Sequence, residues 1–345
     1  MTDTLTFDDN ALMSGLAGPH DQHLLLIEKA LGVRLDARGN EVTIRGGDGA
    51  KARAREVLEA LYDRLARGDA LSPADVEGAL RLTASAGASG ERGGERDGEA
   101  SGPAARSAAR PTARDVPTLV LPRRTLAPRS AAQADYMRKL AGNELTFGVG
   151  PAGTGKTYLA VAHAASAYLR GEVERLILSR PAVEAGERIG FLPGDMKEKV
   201  DPYLRPLYDA LYDVMHADQV DRRIASGDIE IAPLAFMRGR TLTRAHVILD
   251  EAQNATIGQM KMFLTRLGEG SRMTVTGDPS QTDLPDARAS GLADALDLLP
   301  GIDSVAVTRF TGEDVVRHRL VGEIVRAYDA REQDRMQRAR GVPVA

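Results

Sequence analysis

The chain has 345 residues, 43% of them hydrophobic, and a formal net charge of −4; two to three domains with a real core are expected, and a chain-wide basic surface is excluded, which leaves any nucleic-acid contact to a local groove. Zero cysteines exclude disulfides, thiolate zinc sites and thiol nucleophiles, so a metal must sit on oxygen or imidazole ligands. No run of about 18 apolar residues occurs and the opening "MTDTLTFDDN" is acidic, so neither a membrane span nor a signal peptide is expected, and the chain is expected to be soluble and cytoplasmic.

In chain order, "TLTF" alternates like a strand, and "NALMSGLA" and "DQHLLLIEKAL" have helical spacing. Two strands follow in "VRLDARGNEVTIRG", joined by a Gly-Asn turn, and then an amphipathic helix in "GAKARAREVLEALYDRLA". This β-α-α-β-β-α order over residues 1–82, with the short turn Gly18 to Asp21 between the first two helices, resembles a KH domain, whose GXXG loop clamps a nucleic-acid backbone. Asp21 stands where that loop has its second glycine, and a carboxylate beside the phosphate path repels it. The resemblance therefore speaks to fold more than to binding, and a small α+β docking or oligomerisation module is the alternative.

Between Leu82 and Val116 no Val, Ile, Leu, Met or aromatic residue occurs. Such a segment has too little to bury against its ordering entropy, so residues 83–115 read as a flexible linker. From residue 116 to 345, the apolar runs "ELTFGVG", "RLILSR", "HVILDE" and "MTVTGD" alternate with helical stretches, the pattern of a parallel sheet covered on both faces. Each run ends in a polar or glycine-bearing loop, and ligands bind at the carboxyl ends of such strands.

The first of those loops, "GPAGTGKT" from Gly150 to Thr157, follows a strand and opens a helix, which satisfies the P-loop pattern in its required context. The loop Gly150, Pro151, Ala152, Gly153, Thr154 and Gly155 is expected to wrap phosphates at a helix start, with the backbone N–H groups of its residues other than Pro151 turned inward and Tyr158 beside them. Lys156 is expected to reach the β- and γ-phosphates, and the Thr157 hydroxyl to ligate magnesium. Only seven of the 45 basic residues are lysine, so a lysine at this position is a pointed choice. Next, "HVILDEAQN" places Asp250 at a strand end to hold the magnesium shell and Glu251 to orient an attacking water, which favours hydrolysis over transfer. In "VTGDPSQTDLP", Gln281 can sense the γ-phosphate, although Pro and Gly also make this an ordinary turn. His246 and His318 have no partner at ligand spacing and take no metal role.

Together these residues resemble the PhoH-like family, whose ATPase domain is related to the first motor domain of superfamily-one helicases. The likeness runs from about Val116 to Tyr328 and includes "RTLAPRSAAQADY", "SRPAVEAGERIGFLPGDMKEKVDPYLRPLYDAL" and "EDVVRHRLVGEIVRAY". It implies a RecA-like P-loop NTPase fold, with ATP and Mg2+ as cofactors. It implies that Gln133 reads adenine, that "RPAVEAGERIGFLPG" with Arg180 lies near bound nucleic acid, and that the active form is a ring, most simply a hexamer. The chain is too short for a second motor domain, so an arginine finger is expected in trans, from Arg317 first and Arg309 second. The resemblance further implies action on RNA, in ribosome or RNA maturation beside an endoribonuclease partner. The clustered acids of a fused nuclease domain are missing, so no intrinsic metal nuclease is expected. The alternatives are a phosphotransferase and a nucleotide-gated scaffold.

Overall fold

The computed structural model describes residues 3–88, 117–181, 196–286, 290–316 and 331. The N-terminal elements are β1 (Asp3–Thr6), α1 (Met13–Ala17), α2 (Gln22–Leu31), β2 (Arg34–Arg38), β3 (Glu41–Arg45), α3 (Asp48–Ala66) and α4 (Pro73–Ala88). The strands form an antiparallel sheet in the order β1-β3-β2. Along β3, Val42 and Ile44 are buried while Glu41 and Arg45 are exposed, the two-residue period of a sheet covered on one face. Leu16, Ile27, Val57, Leu58 and Leu61 from the helices close that core. Residues 83–88, assigned to the linker from composition, instead complete α4, where Thr83 is buried. Their alanines are good helix formers and extend a helix already anchored by Val76 and Leu80. The rest of the linker lies outside the described residues.

A short hairpin, β4 (Leu119–Val120) with β5 (Thr125–Leu126), leads into α5 (Ala131–Gly142). Then come β6 (Leu145–Val149), α6 (Lys156–Leu169), β7 (Arg175–Arg180), α7 (Met196–Val214), α8 (Ala217–Ser226), β8 (Ile229–Pro233), β9 (Ala245–Leu249), α9 (Ile257–Leu264), β10 (Arg272–Gly277), α10 (Gly291–Leu298) and β11 (Val305–Arg309). Six of these strands form one sheet in the order β11-β6-β10-β9-β7-β8, parallel throughout. Neighbouring residues point to opposite faces: Leu176 and Leu178 join the core beneath α5 to α8, whereas Ile177 joins the one beneath α9 and α10. Every residue of β6 and β9 is buried, as apolar runs with helices on both sides require. This is the α/β fold of a P-loop NTPase. Among the described residues, no helix is long and apolar enough to cross a membrane.

The strand order positions the site. β10 lies between β6, which leads to the P-loop, and β9, which leads to Asp250. The loop after β10 therefore emerges between the phosphate-binding turn and the acidic pair.

Candidate functional site

The loop from Gly150 to Gly155 is shaped by its backbone. Gly150 has φ +138°, and a Cβ there would lie 2.3 Å from the Phe310 carbonyl oxygen, so only glycine fits where the loop meets the chain after β11. The Gly150 amide donates to the Gly277 carbonyl (3.1 Å), and Val316 N–H donates to the Gly153 carbonyl (2.9 Å). Lys156, almost fully buried, donates through Nζ to the carbonyls of Gly150 (2.5 Å) and Pro151 (2.8 Å). The amides of the α6 first turn and the Lys156 charge thus converge on the same mouth of the sheet, the arrangement that binds phosphate.

Thr157 Oγ1 and Thr276 Oγ1 both donate to Asp250 Oδ1, at 2.6 and 2.7 Å. Asp250 is buried, and burial pushes its carboxyl pKa up despite the nearby Arg180 guanidinium. A desolvated carboxylate beside a hydroxyl is an all-oxygen donor pair, which fits a hard dication such as magnesium. Among the described residues, no group of three or more His, Asp or Glu forms a separate metal centre.

Glu251 adopts a left-handed backbone (φ +51°), an uncommon conformation for a residue with a side chain. Both its oxygens are engaged: Oε1 accepts from Arg180 Nη2 at 2.8 Å and Oε2 from Gln253 Nε2 at 2.5 Å. Arg180 also lies 3.5 Å from Asp250 Oδ2 and donates to the Tyr203 carbonyl at 2.7 Å. At 17% side-chain exposure Arg180 faces the two carboxylates, and residues 182–194 of the stretch expected near nucleic acid lie outside the described residues. The physical reason is that β7 adjoins β9, and two adjacent acids at a strand end draw the nearest guanidinium.

Gln253, which motif reading passed over, ties this turn to the next one. Its Oε1 accepts from Asp278 N–H at 3.0 Å while its Nε2 holds Glu251. Asn254 and Asp283 make a reciprocal pair beside it, at 3.0 and 2.8 Å. The signal available in sequence was a Gln-Asn pair one residue beyond two acids at the end of an apolar run. Gln281 lines the same cleft as Lys156, Thr157, Asp250 and Glu251, with its Nε2 donating to Asp278 Oδ2 at 2.8 Å. That cleft has a volume of about 240 Å³, opens to solvent and is also lined by Ala152, Gly153, Gly155 and Tyr158. The Tyr158 hydroxyl donates to Asp213 at 2.6 Å; burial and that carboxylate push its pKa up to about 12, so it stays neutral.

Gln133 is buried and packs against the P-loop backbone. Ser130 caps α5 by accepting from Gln133 N–H, and the Gln133 amide bridges Arg129 N–H (2.7 Å) and the Thr154 carbonyl (2.9 Å). Arg309 is exposed at the end of β11, in register with Val149 just before the P-loop. Arg317 and His318 lie outside the described residues. His246 is buried in the sheet with Nε2 against Thr274 Oγ1, consistent with core packing.

The family model for PhoH-like protein matches residues 125–329. The PhoH-like protein of Mycobacterium tuberculosis H37Rv is 47% identical over 325 residues, covering 93% of this chain and 86% of the relative. The PhoH-like protein of Bacillus subtilis is 45% identical over 329 residues, covering 95% and 97%. Protein PhoH of Escherichia coli K12 is 48% identical over 202 residues, covering 58% and 57%. The fold and the P-loop support nucleotide binding with magnesium, and a nucleotide hydrolase in general terms. On these matches, the chain belongs to the PhoH-like protein family.

Proposed function

We propose that the chain is an ATP hydrolase whose turnover is coupled to RNA. The observation that carries hydrolysis is Glu251, a second carboxylate directly after the buried Asp250, on the wall of the cleft that holds Lys156 and Thr157. In this reading the P-loop amides and Lys156 bind the β- and γ-phosphates and neutralise charge as the terminal phosphoryl departs. Asp250 and Thr157 would hold magnesium, which supplies Lewis-acid neutralisation of phosphate oxygens. Glu251, once released from Arg180, accepts a proton from the attacking water in line with the leaving oxygen. Gln281 orients that water against the phosphate.

Of the cations among the described residues lining this cleft and its flank, Lys156 sits in the P-loop and Arg180 is committed to Glu251 and Asp250. This supports an additional arginine from a neighbouring subunit, Arg317 first and Arg309 second, in a ring that the family resemblance suggests is a hexamer. The KH-like order of residues 1–82 and the likeness to helicase motor domains support RNA as the polymer. An endoribonuclease or ribosome-maturation partner rests on that resemblance alone, as does a cytoplasmic setting.

Phosphate release, measured with and without single-stranded RNA, tests the proposal. RNA is expected to raise the rate; a flat response removes the RNA coupling and leaves the hydrolase. Mixing Arg317→Ala with Lys156→Ala subunits is expected to restore activity, because each pair then contains one complete interface site. Absence of rescue, or full activity in a monomer, defeats the shared site.

A further inference from the structure

Among the described residues, the N-terminal unit packs against the segment Ala127 to Arg129, which precedes α5. Arg81 of α4 donates through Nε to the Arg129 carbonyl at 3.1 Å. The Arg129 amide donates to Gln133 Oε1 at 2.7 Å, and Gln133 Nε2 donates to the Thr154 carbonyl in the P-loop at 2.9 Å. Three hydrogen bonds therefore connect a helix of the first unit to the phosphate-binding turn. Two further observations show that α4 seats closely on this segment. A Cβ on Gly78 would lie 3.1 Å from Arg129 Cα, so the helix approaches at glycine distance. Arg129 also lies 3.9 Å from Asp75, whose carboxyl pKa is lowered by its Ser72 hydrogen bonds and by Arg64 and Arg129 against the opposing effect of burial.

A glutamine amide has two donors and two acceptor lone pairs. Gln133 spends one of each on the backbone of Arg129 and Thr154, and is 5% exposed. Its orientation, and the position of the Thr154 peptide, are thus set by where Arg129 is held. The remaining donor and acceptor match an adenine edge, which offers an acceptor beside an amino donor.

We propose that Arg81 is a positioning residue for the nucleotide site: the N-terminal unit, by holding Arg129, fixes the Gln133 amide and the P-loop peptide at Thr154, and so sets nucleotide affinity and base preference. The proposal rests on the ATP reading above and deepens it. It also gives residues 1–88 a role in the ATPase site that is independent of any RNA they bind. Whatever displaces α4 from the Arg129 segment would weaken nucleotide binding at a distance.

The test uses the full chain with magnesium and a ribose-labelled fluorescent ATP, competed by unlabelled ATP and GTP, alongside phosphate release. Arg81→Ala is expected to weaken ATP binding and raise KM about tenfold, the loss of a part-buried positioning hydrogen bond, with kcat unchanged and the preference for ATP over GTP reduced. Arg81→Lys, which keeps a donor, is expected to recover most of the affinity. Wild-type affinity and base preference in Arg81→Ala would overturn the proposal. If Arg81→Ala does not fold, Arg81→Lys and Arg81→Met decide it: equal affinities would overturn it, and weaker binding by Arg81→Met would support it. Wild type and Lys156→Ala separate the two readings. No ATP binding by wild type sinks both; binding by wild type, loss in Lys156→Ala and no effect of Arg81→Ala sinks the positioning role alone.

Discussion

The two halves of the cleft are held by different means. The P-loop is fixed by its own backbone: Gly150 against Phe310, Gly150 N–H on Gly277, Lys156 on two carbonyls of the loop it follows. The acidic half is fixed by side chains from elsewhere: Arg180 from β7, Thr276 from β10, Thr157 from α6 and Gln253 from the turn itself. The first half is a local shape that a short motif can encode. The second is an electrostatic balance, in which two neighbouring carboxylates are tolerated at a buried strand end because a guanidinium and several donors face them. Substitutions should therefore erase function outright in the first half and retune it in the second.

The largest effect tests the first half. Lys156→Ala removes the charge that meets the phosphates, and hydrolysis is expected to fall about a thousandfold or more, with nucleotide binding lost in a titration. Glu251→Gln comes next: loss of the proton acceptor should lower phosphate release by about a hundredfold or more while ATP remains bound. If Glu251→Gln leaves the rate intact, the acidic half does not activate water, and a scaffold becomes the better reading.

Arg180→Met sharpens the contrast. It removes the cation that holds Asp250 down, so that carboxyl, already raised by burial, rises further. The acidic limb of the pH–rate profile is expected to move to higher pH, with hydrolysis lowered about tenfold at neutral pH and the urea midpoint reduced. An unchanged profile would mean that the pair is structural only.

The smallest effect lies behind the cleft. His163 and His246 stack edge to face in the core, 5.6 Å between centroids, and burial lowers both pKa values, that of His163 to about 4. A neutral buried imidazole favours folding fully above its unfolded value near 6.5, and that contribution is lost as pH falls from there towards 4. For His163 it amounts to about 3 kcal/mol at most. Urea unfolding at pH 7.5 and pH 5 should show the loss, and His163→Phe should show less of it.

How much of this was legible follows the same division. Gly150 to Thr157 could be read because backbone amides and a helix start need only glycines, a lysine and a hydroxyl in fixed order. Asp250 and Glu251 could be read because four apolar residues announce a buried strand and the acids mark its end. The pairing of Arg180 with Asp250 and Glu251 could not be read because its sequence neighbours describe where the chain goes next and not which strand lies alongside. Gln253 was passed over because a glutamine's two bonds to Glu251 and Asp278 have no local periodicity. Residues 83–88 were read as linker because alanine and glycine carry little burial signal, whereas α4 is stabilised by packing of its earlier turns.

The chemistry of the groups, their order along the chain and the parallel sheet behind them were determined by the sequence alone, since hydrophobic period and turn residues act over a few positions. Which carboxylate meets which cation, and that a helix from the first unit reaches the P-loop through Arg129 and Gln133, were decided by tertiary structure. Those pairings depend on strand order and helix docking, which bring together residues 71 and 48 positions apart at hydrogen-bond range.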